Sequence, residues 1–359
     1  MPSRDPNTAV ATSLTWDVGT AYELFVSLLV LHDPEFYDLR PSWAVKILAR
    51  IPTAERTFLE ETTSFNLPVG WIHSLPNPKN AITVMSALQQ IPPAQRSSVL
   101  LGIKSGILPE SKYLSKISER GSWDKNDLAS LLPMMCKAGS GRDEQALVKY
   151  LNWWVRPHDF GNMLLSALQA YHQAYFEQEE KRVAPVLEAG LEHAKQLAEH
   201  LNVPDLITEL SQGVRYTESI GKELIIVPTF AMTPLVDLET IGKDKKLFLF
   251  GARPSTMSVI PGELVPDGLL ITLKALADPT RLKILRYISQ EELTPSELSR
   301  RLNLRAPTVT HHLKELRLAG LVNLTLRGQE KLYRARLEAL DSVHVDLKEF
   351  LKNIALENS

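Results

Sequence analysis

The sequence predicts a mainly α chain in three parts: a helical N-terminal domain, a small β element, and a C-terminal unit of short helices closed by a β hairpin. Three observations carry this. Apolar residues recur at helical spacing from residue 16 to about 212, with proline-rich breaks between the runs. The texture changes near 213, where Glu223–Pro228 and Lys246–Gly251 read as strands. From 268 onward, capped helices follow one another closely and give way to two alternating strands. The expected parts are a disordered tail over 1–15, a helical domain over 16–212, a β element and linker over 213–267, and the C-terminal unit over 268–359.

In the N-terminal domain, Tyr22, Phe25, Val26 and Leu29 form one helical stripe; Trp43, Ile47 and Ile51 form another. Further helices are expected at 80–90, 110–119, 124–137, 143–155, 160–180 and 182–201. Breaks fall at Leu75-Pro76-Asn77-Pro78, Ile91-Pro92-Pro93 and Arg156-Pro157. No fixed period recurs, which excludes a regular solenoid. Trp153, Trp154, Tyr171, Tyr175 and Phe176 cluster in neighbouring helices and suit either a core or a pocket wall.

Motifs for chemistry are sparse here. Ala138-Gly-Ser-Gly-Arg142 precedes a helix but follows one too, and it lacks a phosphate-loop lysine, so it reads as an interhelical loop. His193 and His200 are two turns apart, too far to share an ion, and His158-Asp159 has no third ligand. Cys136 follows Met134-Met135 on an apolar helix and reads as core. No catalytic residue, cofactor or metal is assigned. Beyond the strands, a segment with Pro254, Pro261 and Pro266 is expected to be mobile.

The C-terminal unit is more informative. Asp278-Pro279 starts a helix, since Asp accepts from an orphan N–H and Pro has none to lose. Leu282, Ile284, Leu285 and Ile288 give its stripe. Thr294-Pro295-Ser296-Glu297 has capping-box spacing and starts a second helix, held by Leu298 and Leu302. Asn303-Leu304-Arg305 makes a tight turn. A third helix runs from Ala306-Pro307 to Gly320, with Val309, Leu313 and Leu316 on one face. Opposite lie Pro307, His311 and Lys314, flanked by Thr308, Thr310 and Arg317. Val322, Leu324 and Leu326 alternate with polar residues, Gly328 turns the chain, and Lys331–Leu337 returns it. Arg327, Gln329 and Lys331 cluster at the tip. The pattern is that of a winged helix-turn-helix. Residues 281–336 hold twelve Lys or Arg against five Asp or Glu, which suits a polyanion, although the whole chain stands at −2.

Three stretches resemble the arsenical-repressor (ArsR) type of bacterial winged-helix regulators: LxALADPTRLxIL at 273–285, AxTVTHHLKxLxxAGLV at 306–322 and GxxxxY at 328–333. The resemblance covers about a quarter of the chain. It implies a DNA-binding transcriptional regulator, a repressor, that meets double-stranded DNA through Thr308, Thr310, His311 and the wing tip of Arg327, Gln329 and Lys331; the outward face and its surroundings add Ser296, Arg305, Pro307, His312 and Lys314 as candidate contacts. Relatives carry a small polar N-cap and then Gln where this chain has Arg305-Ala306, so the cap is weaker here and any base contact from that Gln is lost. His312 sits at the edge of the core face and reads as a packing or phosphate residue. The family's metal-sensing positions are unfilled. The second helix has no cysteine, and Asp341, His344 and Asp346 supply only a fragment of a site.

A homodimer is expected. Leu340, Val343, Leu347, Phe350, Leu351 and Ile354 form a seam on the last helix, with Leu270 and Leu273 completing it. Residues 268–359 carry a basic surplus of four, while the remainder is acidic by six, so the N-terminal domain is not expected to lie along DNA. Its expected role is to sense a small molecule or protein effector; the alternative is an enzymatic N-terminal domain with an accessory winged helix. One cysteine, no signal-peptide pattern and no membrane-length apolar run point to the cytoplasm and away from a membrane.

Overall fold

The structure, a computed structural model, describes residues 12–353 except 66, 103–107, 137–141 and 218–219. Tail residues 1–11, most of the glycine-rich loop at 138–142, and Ile354 of the seam lie outside the described residues.

Among the described residues, twelve α-helices build the N-terminal domain: α1 (Thr20–His32), α2 (Pro41–Leu48), α3 (Thr53–Thr62), α4 (Val69–Ser74), α5 (Ala81–Gln90), α6 (Pro93–Leu100), α7 (Ser111–Arg120), α8 (Lys125–Met135), α9 (Glu144–Trp154), α10 (Pro157–Tyr171), α11 (Glu177–Ala198) and α12 (Val203–Leu210). Helices α10 and α11 join through a π turn at His172–Phe176, and Pro185 lies inside α11, so the break expected near 181 does not exist. The aromatic cluster is core: Trp154, Tyr171 and Phe176 are fully buried, Phe58 packs edge-on against Trp153 and Tyr150 edge-on against Trp154, and Phe160 lies tilted against Trp154. Cys136 is half-buried at the end of α8, its thiol 3.3 Å from the Asp143 carbonyl.

The expected tail is corrected in part. Ser13–Trp16 form a strand, β1, too short to show a period of its own. It pairs in parallel with β3 (Glu223–Thr229), which pairs in parallel with β5 (Lys245–Gly251); β4 (Val236–Gly242) runs antiparallel to β5 at the far edge. The sheet is therefore an integral layer of the N-terminal domain. Ile225, Val227, Leu247 and Leu249 face the main helical core. Leu224, Ile226, Phe248 and Phe250 face Ala194, Leu206, Ile207 and Leu210 of α11 and α12. Both faces are covered, which is why these strands read as unbroken apolar runs.

The linker is also pinned where mobility was expected. Arg182 donates to the carbonyls of Ser258 and Val259, and buried Arg253 pairs with Asp267 at 2.7 Å.

The C-terminal unit comprises α13 (Asp267–Leu276), α14 (Pro279–Ile288), α15 (Pro295–Leu302), α16 (Ala306–Leu318), the hairpin β6 (Val322–Arg327) and β7 (Glu330–Ala335), and α17 (Glu338–Asn353). Ile284, Ile288, Leu298, Val309, Leu313, Leu316 and Val322 form its own small core, whereas Leu282 of the expected stripe is 48% exposed. A third strand, β2 (Val214–Tyr216), adds in parallel to β6, so the chain just after α12 belongs to the wing sheet rather than to the β element.

Candidate nucleic-acid interface

The reading helix is positioned by local chemistry. Thr294 and Glu297 close a capping box at α15, and Asn303 ends that helix in the left-handed region with φ 54°. The left-handed residue turns the chain sharply into α16. Arg305 occupies the N-cap of α16 without a side-chain bond, as its composition implied. Val309, Leu313 and Leu316 are fully buried. That anchors the helix and leaves Pro307, Thr308, Thr310 and His311 exposed together on the opposite side, with Arg305 and Ser296 exposed beside them. Thr310 donates back to the Ala306 carbonyl at 3.0 Å. The wing tip turns at Gly328 with φ 60°, and Arg327, Gln329 and Lys331 are all exposed there.

Three residues of α16 are drawn into contacts within the chain, His312 in the packing role read for it and Lys314 and Arg317 against expectation. His312 is half-buried and turned toward Asp278, 4.0 Å away; burial lowers its pKa, with Asp278 opposing. It is a packing residue at the α14 contact. Lys314 lies on the row of Pro307 and His311, yet its ammonium sits 4.1 Å from the centroid of the Phe36 ring. Arg317, expected on the outer face, is 7% exposed. It donates to the Ser211 carbonyl at 2.6 Å, at the end of α12, and no carboxylate pairs with it among the described residues. Burial pushes its pKa down to about 10. A sequence pattern cannot anticipate these contacts, because all three partners come from distant segments.

The N-terminal domain thus grips the reading unit directly. Leu324 donates to the Gly213 carbonyl, Thr217 to that of Leu326, and Lys274 pairs with Asp38 at 3.3 Å. Between the two bodies lies a cleft of about 820 Å³, lined by Pro185, Gly190 and His193 of α11, Ile271 of α13, and Val343 and Asp346 of α17. Val343 therefore faces this cleft, whereas Leu270, Leu273, Leu340 and Leu351 of the expected seam are 38–61% exposed. Leu347 and Phe350 are half-buried.

A second polar constellation was invisible in the sequence. At the end of β1, Asp17 accepts from Tyr22 and His73, each at 2.7 Å, and pairs with buried Lys79. Burial pushes the Asp17 carboxyl up, but the bonds from His73, Lys79 and Tyr22 outweigh it and hold the group below its usual range. Glu23, 1% exposed, accepts from the Phe230 and Ala231 amides at 2.8 Å each. These acids are engaged in tying α1 to the sheet. Among the described residues no group of three or more His, Cys, Asp or Glu could hold a metal ion, and no helix is long and apolar enough to cross a membrane.

Comparison with known proteins places the C-terminal unit. A family model described as a helix-turn-helix domain matches residues 276–325. The arsenical resistance operon repressor of Staphylococcus xylosus is 36% identical over 75 residues, 21% of this chain and 72% of that protein. The HTH-type transcriptional repressor SmtB of Mycobacterium tuberculosis is 31% identical over 112 residues, 30% of this chain and 82% of its own. The transcriptional activator HlyU of Vibrio cholerae is 41% identical over 64 residues, 18% of this chain and 59% of its own. The solved structure of HlyU from Vibrio cholerae N16961 aligns at 34% identity over 22% of this chain and 87% of its own, with a TM-score of 0.20. Through its C-terminal unit, the chain belongs to the ArsR family of helix-turn-helix regulators.

Proposed function

We propose that the protein is a DNA-binding transcriptional regulator whose α16 enters the major groove while the wing tip meets the backbone. The observation that carries this is the exposed row of Pro307, Thr308, Thr310 and His311 at the N-terminal half of α16, backed by a fully buried anchor face. Short polar side chains there reach base edges, and basic wing tips neutralise phosphate. The repressor direction follows the names of the Staphylococcus and Mycobacterium relatives; HlyU, an activator by name, is the counter-instance.

The regulator acts as a homodimer in this reading. Leu270, Leu273, Leu340 and Leu351 leave apolar surface on α13 and α17, and a two-fold dimer would place half-sites about one helical turn apart. The N-terminal domain serves as sensor for a small organic molecule or a protein. The cleft beside α11 and α17 supports this, because both bodies line it and an occupant would alter their relative setting. Its size suits a small ligand. By reciprocity, an effector that weakens operator binding is itself weakened by operator to the same factor.

The test is selection of bound sequences from a random duplex pool, followed by affinity measurements on the enriched sequence. Wild type is expected to enrich one motif with two half-sites. Thr310→Ala and His311→Ala are expected to lose discrimination at single positions. Arg327→Ala and Lys331→Ala are expected to weaken all sequences and flatten the salt dependence. Recovery of no motif would overturn the reading.

A further inference from the structure

We infer that the loop 33–38 is an autoinhibitory latch on the reading helix, an inference that rests on the DNA-binding reading above. The loop joins α1 to α2 and contains a short 3₁₀ turn, Pro34–Tyr37, capped by the Asp33 side chain. Phe36 stands at its centre, edge-on to Tyr37 at 5.1 Å. Its ring faces the Lys314 ammonium at 4.1 Å. Two residues on, Asp38 pairs with Lys274 of α13 at 3.3 Å, and Arg40 then pairs with Glu263 of the linker. The loop is therefore fastened at two points to the C-terminal unit, and Arg40, the N-cap of α2, adds a third contact to the linker.

Its place matters because of what Lys314 does in the groove. Pro307, His311 and Lys314 share one row of α16 at helical spacing. The first and second are exposed; the third is half-buried beneath Phe36. A phosphate or base edge that met Lys314 would need the space the ring occupies. Asp33, Glu35 and Asp38 add three carboxylates within six residues. They set a negative field where the DNA backbone, also negative, must approach, and at moderate salt such fields reach about 10 Å. The two surfaces cannot share Lys314. DNA binding and latch docking are mutually exclusive, so the conformation with Phe36 on Lys314 is the closed one. A half-buried cation–π contact and a solvent-facing ion pair are each worth little, which makes the latch one that DNA can displace. A control surface built into the N-terminal domain then acts on the reader by direct competition.

The test uses the full-length chain and a random-sequence duplex of about 30 base pairs, three helical turns, with affinity read by fluorescence anisotropy. Phe36→Ala and Phe36→Leu are expected to tighten binding about three- to ten-fold, while Phe36→Trp, which keeps the ring, binds no tighter than wild type. Glu35→Gln with Asp38→Asn is expected to tighten binding too, with a gain that shrinks as salt rises. Hydrogen exchange supplies the second readout: amides of 33–40 are expected to exchange faster once the duplex is bound. Wild type that binds while Phe36→Ala and Phe36→Leu bind no tighter overturns the latch and leaves the DNA reading standing, as does protection of 33–40 that DNA leaves unchanged. Failure of every form to bind any duplex overturns both.

Discussion

Helices α1 and α16 are both thirteen residues long, and they are built for opposite purposes. Eleven residues of α1 are buried, including Glu23, so it is wrapped on all sides by the sheet and the helical core. Five residues of α16 are buried, four of them apolar, and its N-terminal half stands open. A helix buried all round can only hold a domain together; a helix anchored on one stripe can present chemistry. The contrast extends to buried charge. In the N-terminal domain Lys79 pairs with Asp17 and Arg182 with Glu179, and Arg253 of the linker pairs with Asp267. At the joint, Arg317 of α16 has only the Ser211 carbonyl among the described residues. The paired cations fix one structure, whereas the singly held arginine ties the reader to the domain at modest strength.

The largest expected effect tests that contrast in buried charge. Arg253→Met leaves Asp267 buried without its cation and is expected to cost about 3–5 kcal/mol in a denaturation experiment. Arg317→Met strands no carboxylate and is expected to change stability by under about 1 kcal/mol. Equal losses would erase the distinction.

Next comes the pH dependence of α1. Burial pushes the Glu23 carboxyl up to about 7, against the two amide bonds that favour its ionised form. The folded chain then holds a proton that the unfolded chain releases near its ordinary 4.5. Stability from this group is complete below that value and is lost as pH rises through about 7, on the order of 3 kcal/mol across the window. The melting temperature of wild type is expected to fall more steeply over this range than that of Glu23→Gln. Parallel curves would remove Glu23 from the explanation.

On α16, His311→Ala is expected to cost about 1–3 kcal/mol in specific DNA binding with the melting temperature unchanged. A loss of stability instead would make His311 structural. The smallest effect is at the N-cap. Arg305→Ser supplies the missing side-chain acceptor and is expected to stabilise the chain by about 1 kcal/mol. No gain would mean that the open amides of α16 are already satisfied.

How much the sequence revealed follows the range of the signals. Asp278, Thr294–Glu297 and Gly320 act within a few residues of themselves, so the caps and limits of α14, α15 and α16 were legible. The exposed row of α16 followed from its period. What escaped depends on partners far along the chain. β1 gains its identity from β3, more than two hundred residues away, and β2 gains its own from the wing. The fates of Lys314 and Arg317 were set by Phe36 and Ser211, which no spacing rule connects to them. The two-sided burial of β3 and β5 showed as apolar runs, but the order of the strands did not.

The central claim is that α15, α16 and the wing meet DNA while the N-terminal domain does not. Photocross-linking of the full-length protein to its selected duplex, with the linked peptides located by mass spectrometry, tests it most directly. The expected result is cross-links confined to residues 296–331. Cross-links concentrated in residues 12–212 would contradict it.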